Sequence, residues 1–358
     1  MGVGLPAIAP ALREEYGLSL AQVGVVLAAE WLGALLTLLP WGLLADRVGE
    51  RRVLASGLAA CGVFLVLAGR VESFAPLFAL LFLAGAAGAS VNAASGRAVM
   101  GWFGAAERGF ALGIRQTAIP VGGVFGALVL PALSAEGAFA ALGVFCLAGA
   151  VVGALVVREP PAPPPSTEAE LGWTLRDGRL WRLCGGSAFY LTAQIAVMSF
   201  VVLYLHDERG LGKREAAAVL AAVQVGAAVL RIAAGRWSDV LRSRVVPLRR
   251  IGLAVAASVG LATALLDAPL ALLVPAFVVG GALSMAWNGL SFAAAAELAG
   301  RARSGAAIGV QQSTLSAFGV VIPIAFAALA SGSWHLAYAL AAVGPLVGWV
   351  VLRPLRDR

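Results

Sequence analysis

Between residues 20 and 352 the chain is an almost unbroken series of apolar runs, most near the length a helix needs to cross a bilayer. The runs are 20–44, 53–69, 75–100, 109–133, 137–157, 181–205, 214–237, 247–266, 269–296, 304–330 and 333–352, and a shorter one opens the chain at 1–12. Lipid offers no hydrogen bonds, so a spanning segment must satisfy its own backbone, and a helix does so. The runs lack the alternation of barrel strands. With 60% hydrophobic and only 13% charged residues, a chain of 358 could not cover itself in water. The expected fold class is therefore an all-α polytopic membrane protein.

The net charge of +7 raises nucleic acid as a partner, but the positions of the charges argue for topology instead. If the loop holding Asp46 is cytoplasmic and the spans alternate, most of the 26 Lys and Arg fall on the cytoplasmic side. Only Arg13, Arg70, Arg209, Lys213 and Arg214 fall on the other side, and Arg97, Arg115 and Arg231 lie inside spans. This is the positive-inside pattern of a plasma (inner) membrane protein with both termini and the central linker in the cytoplasm. Cys61, Cys146 and Cys184 sit in or beside apolar runs without a pairing pattern, as small buried hydrophobes would. No cleavable signal precedes the first run.

A Pro-rich stretch from Glu159 to Ser166 divides the chain, and Thr167 to Glu170 offers a capping box for a short helix behind it. Two segments then repeat. Gly42, Asp46 and the arginines Arg47, Arg51 and Arg52 close the second run, and Gly235, Arg236 and Asp239 close the eighth, 193 residues on. The stretch Arg108–Thr117 parallels Ser304–Ser313 at an offset of 196, which also superposes Asn92 on Asn288 and Gly123 on Gly319. Six spans followed by six spans in parallel orientation is the expected organisation. It divides the chain into residues 1–157, a cytoplasmic linker with a short helix at 158–180, and residues 181–358. At offset 193 Met1 stands opposite Gln194, about a dozen residues into the seventh run, so the chain is expected to begin inside its first helix.

The segment Gly42–Arg52 resembles the G-x-L-A-D-R-x-G-R-R signature of the major facilitator superfamily, with Glu50 where a basic residue is commoner. The copy at Gly235–Asp239 resembles that family's second-half version. The resemblance implies two pseudo-symmetric six-helix bundles around a central cavity and alternating access, with spans 1, 4, 7 and 10 lining the cavity. It further implies that Gly42, Asp46, Arg47, Arg51, Arg52, Gly235 and Asp239 form a gating motif. Asp46 would meet the start of span 11 near Gly305, and Asp239 the start of span 5 near Gly109, in the outward-open state. The fourth span lacks the early Arg that many relatives carry, which departs from a standard proton-coupling arrangement.

Ionisable groups inside spans are costly and usually functional. Arg231 lies about 12 Å inward from Asp239 and shares a helical face with Gln224, as an anion site would. The alternative is a structural arginine bonded to helix carbonyls. Glu30, near the middle of its span, is the coupling candidate because burial disfavours its charge; the alternative is an ion pair with an arginine. Arg115 and Gln116, before Pro120, make a polar, kinked surface, with Gln312 their counterpart in the second half; Arg97 could snorkel to the interface. On the spans expected to line a cavity, stripes run through Asn92 and Ser95, through Tyr190 and Gln194, and through Ser284, Asn288 and Ser291, with Trp287 as an aromatic wall. Helix–helix hydrogen bonding is the competing role for such residues.

The expected function is secondary active transport of a small solute, an organic or inorganic anion, by proton symport or anion exchange; the rival within transport is proton-coupled efflux of amphipathic drugs or metabolites. An enzyme is not expected. His206 and His335 lie in loops, and H-E-x-x-H, G-x-S-x-G and G-x-x-x-x-G-K are absent from the sequence. No cofactor or metal is expected. The partners would be the cargo, protons as the candidate coupling ion, and the bilayer, with the protein a monomer.

Overall fold

The computed structural model describes residues 2–103, 108–159, 176–299 and 304–355, and among these it contains helices and no strand. Two short helices, α1 (Gly4–Ala7) and α2 (Ala9–Glu15), come first. They are separated at Ile8 because Pro10 has no N–H to give and crowds the preceding turn. Then come α3 (Leu20–Val48), α4 (Glu50–Ala68), α5 (Phe74–Trp102), α6 (Arg108–Val129) and α7 (Ala135–Val156). The second half holds α8 (Gly178–Asp207), α9 (Lys213–Leu241), α10 (Val245–Ala264), α11 (Leu270–Ser284), α12 (Asn288–Ala299), α13 (Ser304–Ala330) and α14 (Trp334–Leu352). Counting α11 and α12 as one, eleven helices among the described residues are long and apolar enough to cross a membrane. The Pro-rich stretch beyond Glu159 and the capping box at 167–170 lie outside the described residues.

Local chemistry starts these helices where the apolar runs begin. Ser19 and Gln22 form a reciprocal capping box at α3, while Ser134, Asp177 and Ser333 each accept a backbone N–H at the starts of α7, α8 and α14. Small residues then let helices touch. A Cβ on Gly62 would stand 2.8 Å from the carbonyl of Gly143, and one on Gly143 the same distance from the carbonyl of Gly62, so α4 and α7 cross backbone to backbone.

The packing repeats between the halves. In the first, α3 packs on α5, α4 on α5 and α4 on α7; in the second, α9 packs on α11, α10 on α11 and α10 on α14. The two groups meet along α3 with α13 and along α6 with α9. At one end these crossings are tight. Gly24 lies against Pro323 and Ala327, Gly319 lies under the Trp31 ring, and Gly123 lies against Gln224. Beyond this end, Arg13 of α2 pairs with Asp207 and Glu14 pairs with Lys213 at 2.5 Å, tying the halves together. Towards the arginine-rich end the same helices part: a Cβ on Gly42, Gly235 or Gly309 would meet nothing within 4 Å. Among the described residues the crossings are thus tight at the end that carries α2, with free space at these glycines towards the repeated Gly–Asp segments.

Candidate functional site

The tenth apolar run, 269–296 by sequence, is two helices. Met285, Ala286 and Trp287 form a turn between α11 and α12, in which the Met285 and Ala286 amides bond three residues back rather than four. The Met285 carbonyl lies in this turn between the two helices, and Arg231 Nε donates to it at 2.9 Å. A break within a span survives where neighbouring protein satisfies the released backbone, and the guanidinium does so here. Arg231 Nη1 also donates to the Gln116 carbonyl on α6 at 2.7 Å, and Nη2 to Asn288 Oδ1 at the start of α12 at 3.0 Å. One half-buried guanidinium therefore joins α9, α6 and the broken span. It stands on the arginine-rich side of the Gly123–Gln224 contact, between α6 and α9.

Among the described residues every acceptor of Arg231 is a neutral oxygen, and no carboxylate pairs with it. These contacts use three of its five N–H donors. Arg115, one residue before Gln116, reaches the other way. Its Nε donates to Ser95 Oγ at 2.8 Å and its Nη2 to Asn92 Oδ1 at 3.1 Å. The duplicated asparagines thus play the same part, each holding an arginine. The serines 196 apart are likewise paired: Ser95 accepts from Arg115, and Ser291 accepts from Gln311 Nε2, the neutral residue at the position equivalent to Arg115. Ser187 completes a buried trio with Ser291 and Gln311, at 2.5 Å between hydroxyls. Gln311 and Ser187 are missed by sequence reasoning, although the alignment of Gln311 with Arg115 carried the signal.

Several expected cavity residues lie elsewhere. Tyr190 and Trp287 are fully buried, edge to face at 6.0 Å, so in this conformation both rings pack inside the protein. The reason is space: Gly252 on α10 and Gly348 on α14 leave a slot that the Tyr190 ring fills. Ser284 is buried and bonds back to the Gly281 carbonyl of its own helix. Gln224 is buried at the α6–α9 crossing, and Gln194 is also buried; the Gln224 amide and Gln194 Oε1 have no protein partner among the described residues. Gln116 and Gln312 are half-buried. Glu30 has no ion-pair partner among the described residues; its carboxylate faces Gly2 and its backbone lies on Gly85 of α5.

In the repeated segments Arg47, Arg51 and Arg52 are exposed at the arginine-rich end, and the side chains of Asp46 and Arg97 lie outside those described, as do the surroundings of Gly109 and Gly305. Asp239 is paired with Arg244 at 2.6 Å, and Arg244 also takes Glu297 at the end of α12 at 3.0 Å. Burial, the largest single influence on the Arg244 guanidinium, works against its charge, yet the two acids together hold that charge above its ordinary range. Glu159 supplies an unexpected contact. Its carboxylate accepts from the Glu50 and Arg51 amides at 2.9 and 3.1 Å, capping α4 directly after Gly49.

Residues 1–322 match the family model described as Major Facilitator Superfamily. The chain is 34% identical to an uncharacterized MFS-type transporter of Mycobacterium tuberculosis, over 99% of this chain and 81% of that one. It is 27% identical to the probable sulfoacetate transporter SauU of Cupriavidus necator, over 97% of this chain and 87% of the relative. The crystal structure of a point mutant of the nucleoside transporter NupG has a TM-score of 0.78 at 13% identity, covering 98% of this chain and 95% of the other.

Proposed function

Because the chain belongs to the Major Facilitator Superfamily and is a membrane transporter of small solutes, we propose that its cargo is a small organic or inorganic anion bound at Arg231. The carrying observation is the guanidinium with three neutral acceptors and no acid among the described residues. A cation held only by dipoles keeps its charge available, and its planar fork suits a carboxylate, sulfonate or nitrate oxygen pair. The relative described as a probable sulfoacetate transporter fits that class.

In this reading residues 1–157 and 181–358 are two bundles joined by a cytoplasmic linker at 158–180, and they rock about the α3–α13 and α6–α9 crossings. The arginine-rich end faces the cytoplasm across the plasma membrane, so the conformation described is open inward. Arg231 sits where closure must be felt, since its bond to the Gln116 carbonyl links the halves. Glu30 is the group whose protonation would distinguish symport from anion exchange: Glu30→Gln abolishes a proton requirement in the first case and leaves counter-flow intact in the second.

The direct test is thermal unfolding of the purified protein with small carboxylates, sulfonates, nitrate and cationic amphipathic drugs. Anions raise the midpoint of the wild type, and Arg231→Gln removes that response. Stabilisation by cationic drugs alone, with transport intact in Arg231→Gln, refutes the anion assignment.

A further inference from the structure

At the arginine-rich end of the second half, three guanidiniums have no acid partner among the described residues. These are Arg249 and Arg250 on α10 and Arg353 immediately after α14. Each lies over an indole instead. Arg249 stands 6.0 Å from the centre of the Trp349 ring and Arg353 stands 5.7 Å from the same ring, while Arg250 is 5.9 Å from Trp237. Nearby, Arg244 shows what this end does with a guanidinium that has acids in reach, taking both Asp239 and Glu297.

Two like charges converging on one ring from adjacent, packed helices repel each other. The ring faces attract each cation but carry no charge to cancel that repulsion. Beneath the pair, Arg249 Nε is buried without a hydrogen-bond partner. The Tyr190 hydroxyl is likewise unpartnered, and it is wedged against Gly252, three residues further along α10. Along the same helices, away from the guanidiniums, the outer surface is aliphatic: Leu346 and Val350 of α14 and Leu253 of α10 are exposed. A charged head over an indole, continuous with aliphatic rows on membrane-spanning helices, has the outline of a phospholipid.

We propose that the seam between α10 and α14 binds an anionic phospholipid, its phosphate held between Arg249 and Arg353 over Trp349 and its chains lying along the exposed faces of the two helices. The site belongs to the periphery of the second half rather than to the α6–α9 crossing at Arg231. It stands whatever the cargo is, and whichever compartment the arginine-rich end faces.

The experiment uses the full chain, purified in neutral detergent and stripped of lipid. Binding is followed by Trp fluorescence and by thermal unfolding as phosphatidylglycerol, phosphatidylcholine or inorganic phosphate is added. Phosphatidylglycerol binds more tightly than phosphatidylcholine, and inorganic phosphate does not reproduce the effect. Arg353→Gln, at an exposed position after the helix, weakens phosphatidylglycerol about fivefold, and adding Arg249→Gln weakens it about as much again. Arg250→Gln, facing a different indole, leaves most of the response. Should the Arg249 variant fail to fold, the Arg353→Gln and Arg250→Gln comparison decides alone. Equal affinity for the two lipids, an unchanged response in Arg353→Gln, or full replacement of the lipid by inorganic phosphate overturns the proposal. Loss of anion-dependent stabilisation in Arg231→Gln tests the cargo reading separately and leaves this one untouched.

Discussion

Gly49 is constrained twice over. Its φ of +90° is backbone that residues with a Cβ rarely adopt, and a Cβ there would press into the Glu159 carboxylate. That carboxylate is held below the ordinary range, first by a hydrogen bond from the Glu50 side chain, then by the Glu50 and Arg51 amides and the nearby Arg52 charge, against some opposing burial. A lowered carboxyl contributes stability that is present above its unfolded value and lost only as pH falls through the lowered one. The Glu50 side chain donates that bond only while it carries a proton, whereas the Glu50 and Arg51 amides need none and hold the carboxylate across the neutral range. Gly49→Ala is expected to cost about 1–3 kcal/mol. In a Glu159→Ala background the cost is smaller, because the steric part disappears and the backbone part stays. A double-mutant cycle read by thermal unfolding measures that coupling, and strict additivity shows that the carboxylate does not press on residue 49. Arg231 is the other position where single-atom geometry decides the outcome. Arg231→Lys keeps a charge but cannot serve the Met285 and Gln116 carbonyls and Asn288 together.

Between helices, the contacts of α2 with the facing ends of α8 and α9 form a latch. Glu14 meets Lys213 at 2.5 Å and His206 Nε2 at 3.3 Å, and His206 Nδ1 lies 2.7 Å from the Leu211 carbonyl. Both ring nitrogens face acceptors, so both contacts are hydrogen bonds only when the imidazole carries two protons. The Glu14 carboxyl is lowered, chiefly by its bond to Lys213, so its ion pair persists as pH drops until that lowered value is reached. The expected outcome of Glu14→Gln, which removes the charge that Lys213 pairs with, is faster opening of this end. Thiol labelling of a cysteine placed behind the latch reads it, and an unchanged labelling rate in Glu14→Gln rules the latch out.

Across both halves, the duplicated packing pattern gives two crossings that are tight at one end and open at the other. Gly319 lies directly under the Trp31 ring, with no room for a Cβ. Gly319→Val overpacks that crossing by about 1–3 kcal/mol and so disfavours the conformation described. Gly42, with open space around it, is the reporter. Gly42→Cys reacts readily with a polar thiol reagent in the otherwise wild-type protein, and becomes protected when Gly319→Val is added. Unchanged reactivity would show that the α3–α13 crossing does not control the arginine-rich end.

Read without coordinates, the chain already settles the helical class, the number and placement of the spans, the duplication and the repeated Gly–Asp segments. All of these are carried by apolar length, caps and periodicity, which are local properties of the chain. The same reading places Arg231 and Arg115 within spans, and pairs Asn92 with Asn288. Other outcomes appear only in three dimensions: each asparagine holds an arginine, the tenth run breaks at Met285, Tyr190 and Trp287 pack inward, and Asp239 belongs to Arg244. Those outcomes depend on how each helix is rotated about its axis and where it crosses its neighbours. Rotation and crossing are set by contacts such as Gly62 on Gly143 or Tyr190 in its glycine slot, between residues far apart in the chain, and hydrogen-bond partners follow from them rather than from sequence spacing.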